Sequence, residues 1–182
     1  MNVGNYLRSA LWDAMTKEKE TQEKWHTVLR RFDDFGKICS IRKADAQIDL
    51  LLRRLEEEIL FKFKIAPGGN EPAVGLQSTL SDLWVIGSYD LINSVSGIIS
   101  PTEKQFPKIV ELLHRLGAVR TAMSEYRGIH VGGKAPMLKM LCHETGSMMW
   151  LSAGSNLKPM NAISRRVLSD QILSIFDETP AS

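Results

Sequence analysis

The residues best equipped for chemistry lie between Lys108 and His143. This interval carries Lys108, Arg115, Arg120, Arg127, Lys134 and Lys139, and three of the chain's four histidines, His114, His130 and His143. Helical periodicity from Pro107 to about His130 places Ile109, Leu113, Leu116 and Met123 on one face. Arg120 and Arg127 project within that apolar sector, about 20–40° from Leu116. A guanidinium does not shed its proton, so an arginine there needs a carboxylate, a ligand anion or water. Two readings are open. In one, Asp82 and Asp90 on the preceding apolar segment neutralise the arginines as structural ion pairs. In the other, Arg120 and Arg127 hold a phosphate while His130 exchanges a proton, the parts of a metal-free ribonuclease.

The remaining constellations point away from catalysis. Zinc sites show two local pairs of ligands, whereas Cys142-His143 is a single adjacent pair, so no metal site is expected. The same adjacency argues against a Cys142 nucleophile activated by His143. Gly132 to Lys134 and the stretch from Gly75 lack the phosphate-loop pattern, no GxGxxG occurs, and no cofactor is expected. Glu56, Glu57 and Glu58 are consecutive, so they fan around a helix and read as a solvated face. Trp12, Trp25, Trp84 and Trp150 each fall in an apolar stripe or strand and read as core.

The helical pair from about Leu76 to Val131, with an arginine-bearing second helix running into a histidine, resembles HEPN-type helical domains. The resemblance implies an α-helical bundle, frequent dimerisation and, in active members, RNA cleavage at the dimer interface. The family's hallmark is an arginine followed after four to six residues by a histidine. Here Glu125 and Tyr126 stand at such positions after Arg120, and Arg127 precedes His130 by only three. The departure implies an inactive, binding or assembly member.

These residues are positioned by a chain of 182 residues, 43% hydrophobic and 24% charged, which suits one compact globular domain. The net charge of +2 is too small to argue for nucleic acid by itself. The opening MNVGNYLRSALWDAM has no long apolar core of a secretory signal, and a cytoplasmic protein with reduced Cys39 and Cys142 is expected. Leu76 to Ile99 is long enough to span a bilayer but contains Asp82 and Asp90. Each costs roughly 2.5–3.5 kcal/mol on insertion scales, so a soluble core helix is the better reading.

Three regions follow, together forming one domain. Residues 1–66 read as a long helical hairpin or arm. Its stripes are Tyr6-Leu7-Leu11-Met15, then Trp25, Val28, Leu29, Phe32 and Phe35, then Ile48, Leu51, Leu52, Leu55 and Ile59, with a break at Gly36. Thr16 to Lys24 has no apolar residue and is solvated. Residues 67–131 form the core helical pair. Pro67 to Gly75 is a loop, and the helix from Leu76 to Ile99 carries an apolar face of Leu76, Leu80, Leu83, Trp84, Leu91, Val95 and Ile98. Gly87 permits close approach of a neighbour, and Ser100 to Glu103 fits a capping box. Residues 132–182 hold a β-hairpin, Met148–Ser152 with Met160–Ile163, then a helix capped by Ser164 with Val167, Leu168, Ile172, Ile175 and Phe176 as its stripe.

The fold expected is therefore mainly α, a helical bundle with long N-terminal helices and a small C-terminal β-hairpin. The expected function is a non-enzymatic interaction or assembly module that self-associates as a homodimer or binds a protein partner. The alternative is an RNA-binding or RNase-like domain using Arg120, Arg127 and His130 as an anion site.

Overall fold

The computed structural model describes residues 2–34, 43–65, 72–126, 137–152 and 162–177. Six helices and a three-stranded sheet occupy them: α1 (Val3–Lys17), α2 (Lys19–Asp34), α3 (Lys43–Ile65), α4 (Pro72–Ser96), α5 (Phe106–Tyr126), β1 (Met137–Leu141), β2 (Met148–Ser152), β3 (Ala162–Ser164) and α6 (Arg165–Asp177). The chain is thus mainly α with a small antiparallel sheet near its C-terminus. No helix among the described residues is long and apolar enough to cross a membrane.

The Asn2 side chain caps α1 by accepting from the Gly4 amide at 2.9 Å. A single turn residue, Glu18, separates α1 from α2. Between Thr16 and Lys24 no residue is buried, as the run of charges requires. From Trp25 onward α2 enters the core through Trp25, Val28 and Phe32, and the Phe32 ring meets Phe176 of α6 edge-on at 4.8 Å. Helix α3 packs against α1, α2 and α4, and α4 pairs along its length with α5. Phe35 and Gly36 lie outside the described residues.

Helix α4 is rotated relative to its expected face. Trp84, Leu91 and Val95 are buried, but Leu76, Leu83 and Ile98 are exposed, while Gln77, Ser81 and Ser88 are buried instead. Gln77, Ser81, Trp84 and Ser88 share one helix face at spacings of four, three and four, so α4 turns a polar strip inward. The helix also begins four residues earlier than expected, because Pro72 fits a first helical position. Gly87 does receive a neighbour: a Cβ there would lie 2.9 Å from the carboxyl carbon of Asp45 on α3. Ser100 to Glu103 forms a turn, closed by the Glu103 amide on the Ser100 carbonyl at 3.0 Å.

The sheet has one strand more than the expected hairpin. Strand β2 is central, pairing Lys139↔Trp150 toward β1 and Trp150↔Ile163 toward β3. Trp150 and Met148 are buried against the helices, while Leu138 and Met140 of β1 are exposed. Met160 lies outside the described residues. Helix α6 follows Ser164 directly, and Leu168, Ile172, Ile175 and Phe176 enter the core as expected; Val167 stays 46% exposed. Trp12 is a further correction. It is 72% exposed, because it lies on the flank of α1 away from Ala14, the residue that enters the core.

Candidate functional site

Arg120 lies at the edge of the α4–α5 seam rather than inside it. Its guanidinium stacks over the Tyr89 ring at 4.5 Å and approaches Asp90 at 3.7 Å. The Arg120 and Asp90 side chains are 46% and 61% exposed, so this is a surface pair worth at most about 1 kcal/mol. Arg120 and Asp90 do pair, but at the surface rather than in the interior, and the reason is geometric. At about 40° from Leu116 the long side chain reaches past the seam to water. Asp82 is paired as well, but with Lys139 of β1 at 2.6 Å, and the same ammonium donates to the Ser78 carbonyl. Arg127 and His130 lie outside the described residues. On α5, Arg115 and Arg120 are five positions apart, about 140° around the helix, so they do not form one basic face.

Among the described residues a dense cluster of charge lies elsewhere, between α3 and α6. Asp49, Arg53 and Glu56 sit at spacings of four and three on one face of α3. Arg165, Arg166, Ser169 and Asp170 occupy the first turns of α6. Arg165 is fully buried; it donates to Asp49 through Nη1 and to Glu56 through Nη2 and Nε, the last at 3.0 Å. Its guanidinium also stands 5.5 Å from the Trp84 ring centroid. Arg166 Nη1 donates to the second Glu56 oxygen at 2.9 Å. Asp49 Oδ2 accepts from Trp25 Nε1 and from Arg53 Nε, both at 2.8 Å. Arg53 Nη2 then reaches Ser169 Oγ at 2.8 Å and Asp170 Oδ1 at 2.6 Å. Three guanidinium groups and three carboxylates thus close on one another.

Glu56 therefore departs from the solvated face expected for Glu56 to Glu58. It is 1% exposed, whereas Glu57 and Glu58 do face water. Burial pushes the Asp49 carboxyl upward, but the Arg165 and Arg53 guanidinium groups overcome it, and the Trp25 and Arg53 hydrogen bonds reinforce them, holding the pKa at about 2. Arg53 is raised in turn: burial favours its neutral form, and the Asp49 charge outweighs this.

A consequence for acid stability follows. As pH falls, an unfolded chain protonates this aspartate near 3.8, before the folded state does at about 2. The ion pair's contribution, on the order of 2 kcal/mol, is complete above about pH 4 and is lost between pH 4 and 2. Urea unfolding at pH 5 and pH 2.5 should show this loss, and Asp49→Asn should flatten it.

No family model, curated protein or solved structure matches this chain at a significant level. A closed, charge-neutral network locks α6 to α3 and, through Trp25, to α2. Among the described residues no cluster of histidine, cysteine, aspartate and glutamate is suited to hold a metal ion. The Cys142 thiol is free and partly exposed; His143 is exposed, with its ring against Phe63 at 5.7 Å.

Sequence reasoning singled out none of Asp49, Arg53, Arg165 or Arg166. The available signal was the phase of Asp49, Arg53 and Glu56, which share a face although the surrounding sequence is rich in charge. Nothing local distinguishes such a face from a solvated one.

Proposed function

We propose that this chain is a non-enzymatic, cytoplasmic interaction module that assembles as a homodimer through the arm built by α1 and the distal half of α3. The observation that carries the reading is the exposure of four large apolar side chains on that arm. Leu7, Trp12, Phe61 and Ile65 are 60%, 72%, 65% and 68% exposed. Arg54 of α3 reaches Asp13 of α1 at 3.5 Å, tying the two helices of the arm together.

Four such side chains offer apolar area on the order of 600 Å² per copy. Self-pairing reaches roughly 1,200 Å², the lower bound of a stable interface, when both flanks of α1 are covered, since Leu7 and Trp12, five positions apart, stand about 140° apart around it. A second copy supplies the same surface by symmetry, and the small net charge of +2 opposes association only weakly. The resemblance to HEPN-type helical domains belongs to the same reading, as an assembly member rather than one that cleaves RNA.

Sedimentation velocity tests it. The wild-type chain should sediment as a dimer at micromolar concentration, and Trp12→Ser combined with Phe61→Ser should give a folded monomer. A wild-type chain that remains monomeric up to about 100 µM overturns the proposal.

A further inference from the structure

Five of the chain's eight methionines, Met137, Met140, Met148, Met149 and Met160, fall between positions 137 and 160, and Cys142 lies among them. The sheet sorts three of these sulfur-bearing residues onto one face. Lys139 donates to the Ser78 carbonyl of α4 and Leu141 packs on the core, so both point toward the helices. Side chains alternate along a strand, and Met140 therefore takes the opposite face, where it is 40% exposed. The Cys142 amide donates to the Ser147 carbonyl at 2.8 Å, which carries the ladder one pair beyond Leu141↔Met148. Cys142 thus shares the face of Met140, and its thiol is free and partly exposed. On β2, Met148 and Trp150 are buried against the helices, which turns Met149 to that same outer face. Met149 stands directly opposite Met140 in the register. Opposed Cβ atoms lie about 4.5–5.5 Å apart and diagonal ones about 7–8 Å, within reach of long side chains.

We propose that Met140, Met149 and Cys142 form a site for one soft monovalent cation, copper(I). Thioether and thiolate sulfur select copper(I), whereas zinc is held by imidazole, thiolate and carboxylate. The charge count agrees. Binding sends the thiol proton to solvent, and the one thiolate neutralises one monovalent ion while the thioethers add no charge. A divalent ion would keep a net positive charge beside Leu138↔Leu151, the apolar pair that follows Met140↔Met149 on this face. Methionine has three rotatable bonds, so the two thioethers close on an ion by rotation about their own side chains. Core packing accounts for Met148, which is 4% exposed, but not for Met140. The site departs from the sequence expectation of no metal, which considers zinc ligands and not thioethers.

The test supplies copper(I), held by the chelator bicinchoninate under argon, to the full chain labelled with ¹³C at its methionine methyls. Cys39→Ser throughout leaves Cys142 as the one thiol. One equivalent of copper(I) should shift the methyl resonances of Met140 and Met149, while that of Met148, on the opposite face, moves far less. By chelator competition, Met140→Leu combined with Met149→Leu should weaken binding by about 100-fold, and Cys142→Ser by at least about tenfold. These changes nearly conserve volume at positions outside the buried core, so the fold is kept. Zinc should leave both methyls in place. The proposal is overturned if copper(I) leaves either methyl unmoved, if either set of substitutions leaves the affinity unchanged, or if zinc produces the same shifts.

Discussion

Arg165→Met is expected to destabilise the fold by roughly 3–5 kcal/mol, the cost of stranding buried charge. The side chain is fully buried, and its removal takes one partner from Asp49 and one from Glu56 at once. Neither carboxylate has access to water in compensation: Asp49 is 0% exposed and Glu56 1%. Methionine fills most of the volume against Trp84, so the loss reports charge rather than a cavity. Glu56→Gln should also destabilise, because it weakens the hold on both Arg165 and Arg166. The double variant should lose less than the sum of the single losses, by about 1–3 kcal/mol, since each change removes the group that the other strands. Urea midpoints of the four proteins check this. Additive losses would show that the two residues do not act as a unit.

Gly146→Ala should cost about 2–5 kcal/mol, from left-handed backbone strain together with overpacking. Gly146 has φ of 68°, a conformation that side-chain-bearing residues rarely adopt. It lies in the connection between β1 and β2, where its amide donates to the Cys142 carbonyl at 2.8 Å and its carbonyl accepts from Gln77 Nε2 of α4. A Cβ would overlap the Glu56 carbonyl oxygen and lie 3.0 Å from the carbonyl carbon. Those atoms are backbone in the middle of α3, so no side-chain rotation relieves the contact. Displacing them also moves the residue that holds Arg165 and Arg166. Gly75→Ala is the control: that glycine is helical with nothing near its Cβ direction, and alanine should be neutral or stabilising by up to about 1 kcal/mol. Thermal denaturation of both variants separates them, and equal melting temperatures would mean that the connection adjusts freely.

Both predictions rest on contacts between segments far apart in the chain, and this is where the sequence was hardest to read. The amphipathic stripes of α2 and α6 were legible because a buried helix face repeats every three or four residues within the helix itself. Trp25, Val28 and Phe32, or Leu168, Ile172 and Phe176, announce their burial without knowledge of the partner. The β2 strand and the helix beginning after Ser164 were legible for the same local reason.

The polar half of the core carries no such signature. Glu56 and Glu57 are adjacent and identical in type, yet one is 1% exposed and the other faces water. The difference is made by Arg165 and Arg166, which stand 109 and 110 positions away. Arg120 is the converse case. Its phase placed it with Leu116, but the flexible stem carries the charge out over Tyr89 to the surface. Leu76 and Leu83, apolar and in phase, are exposed because Gln77, Ser81 and Ser88 take the inward face of α4.

By itself the sequence determined the mainly helical class, most helix positions and the apolar faces of α2 and α6, since these follow from residue propensity and from periodicity within a single turn. Only the tertiary structure decided which charges lie inside. A carboxylate or guanidinium is stable in the interior only when an opposite charge arrives from another element at hydrogen-bonding distance, and that meeting is a property of the packed helices.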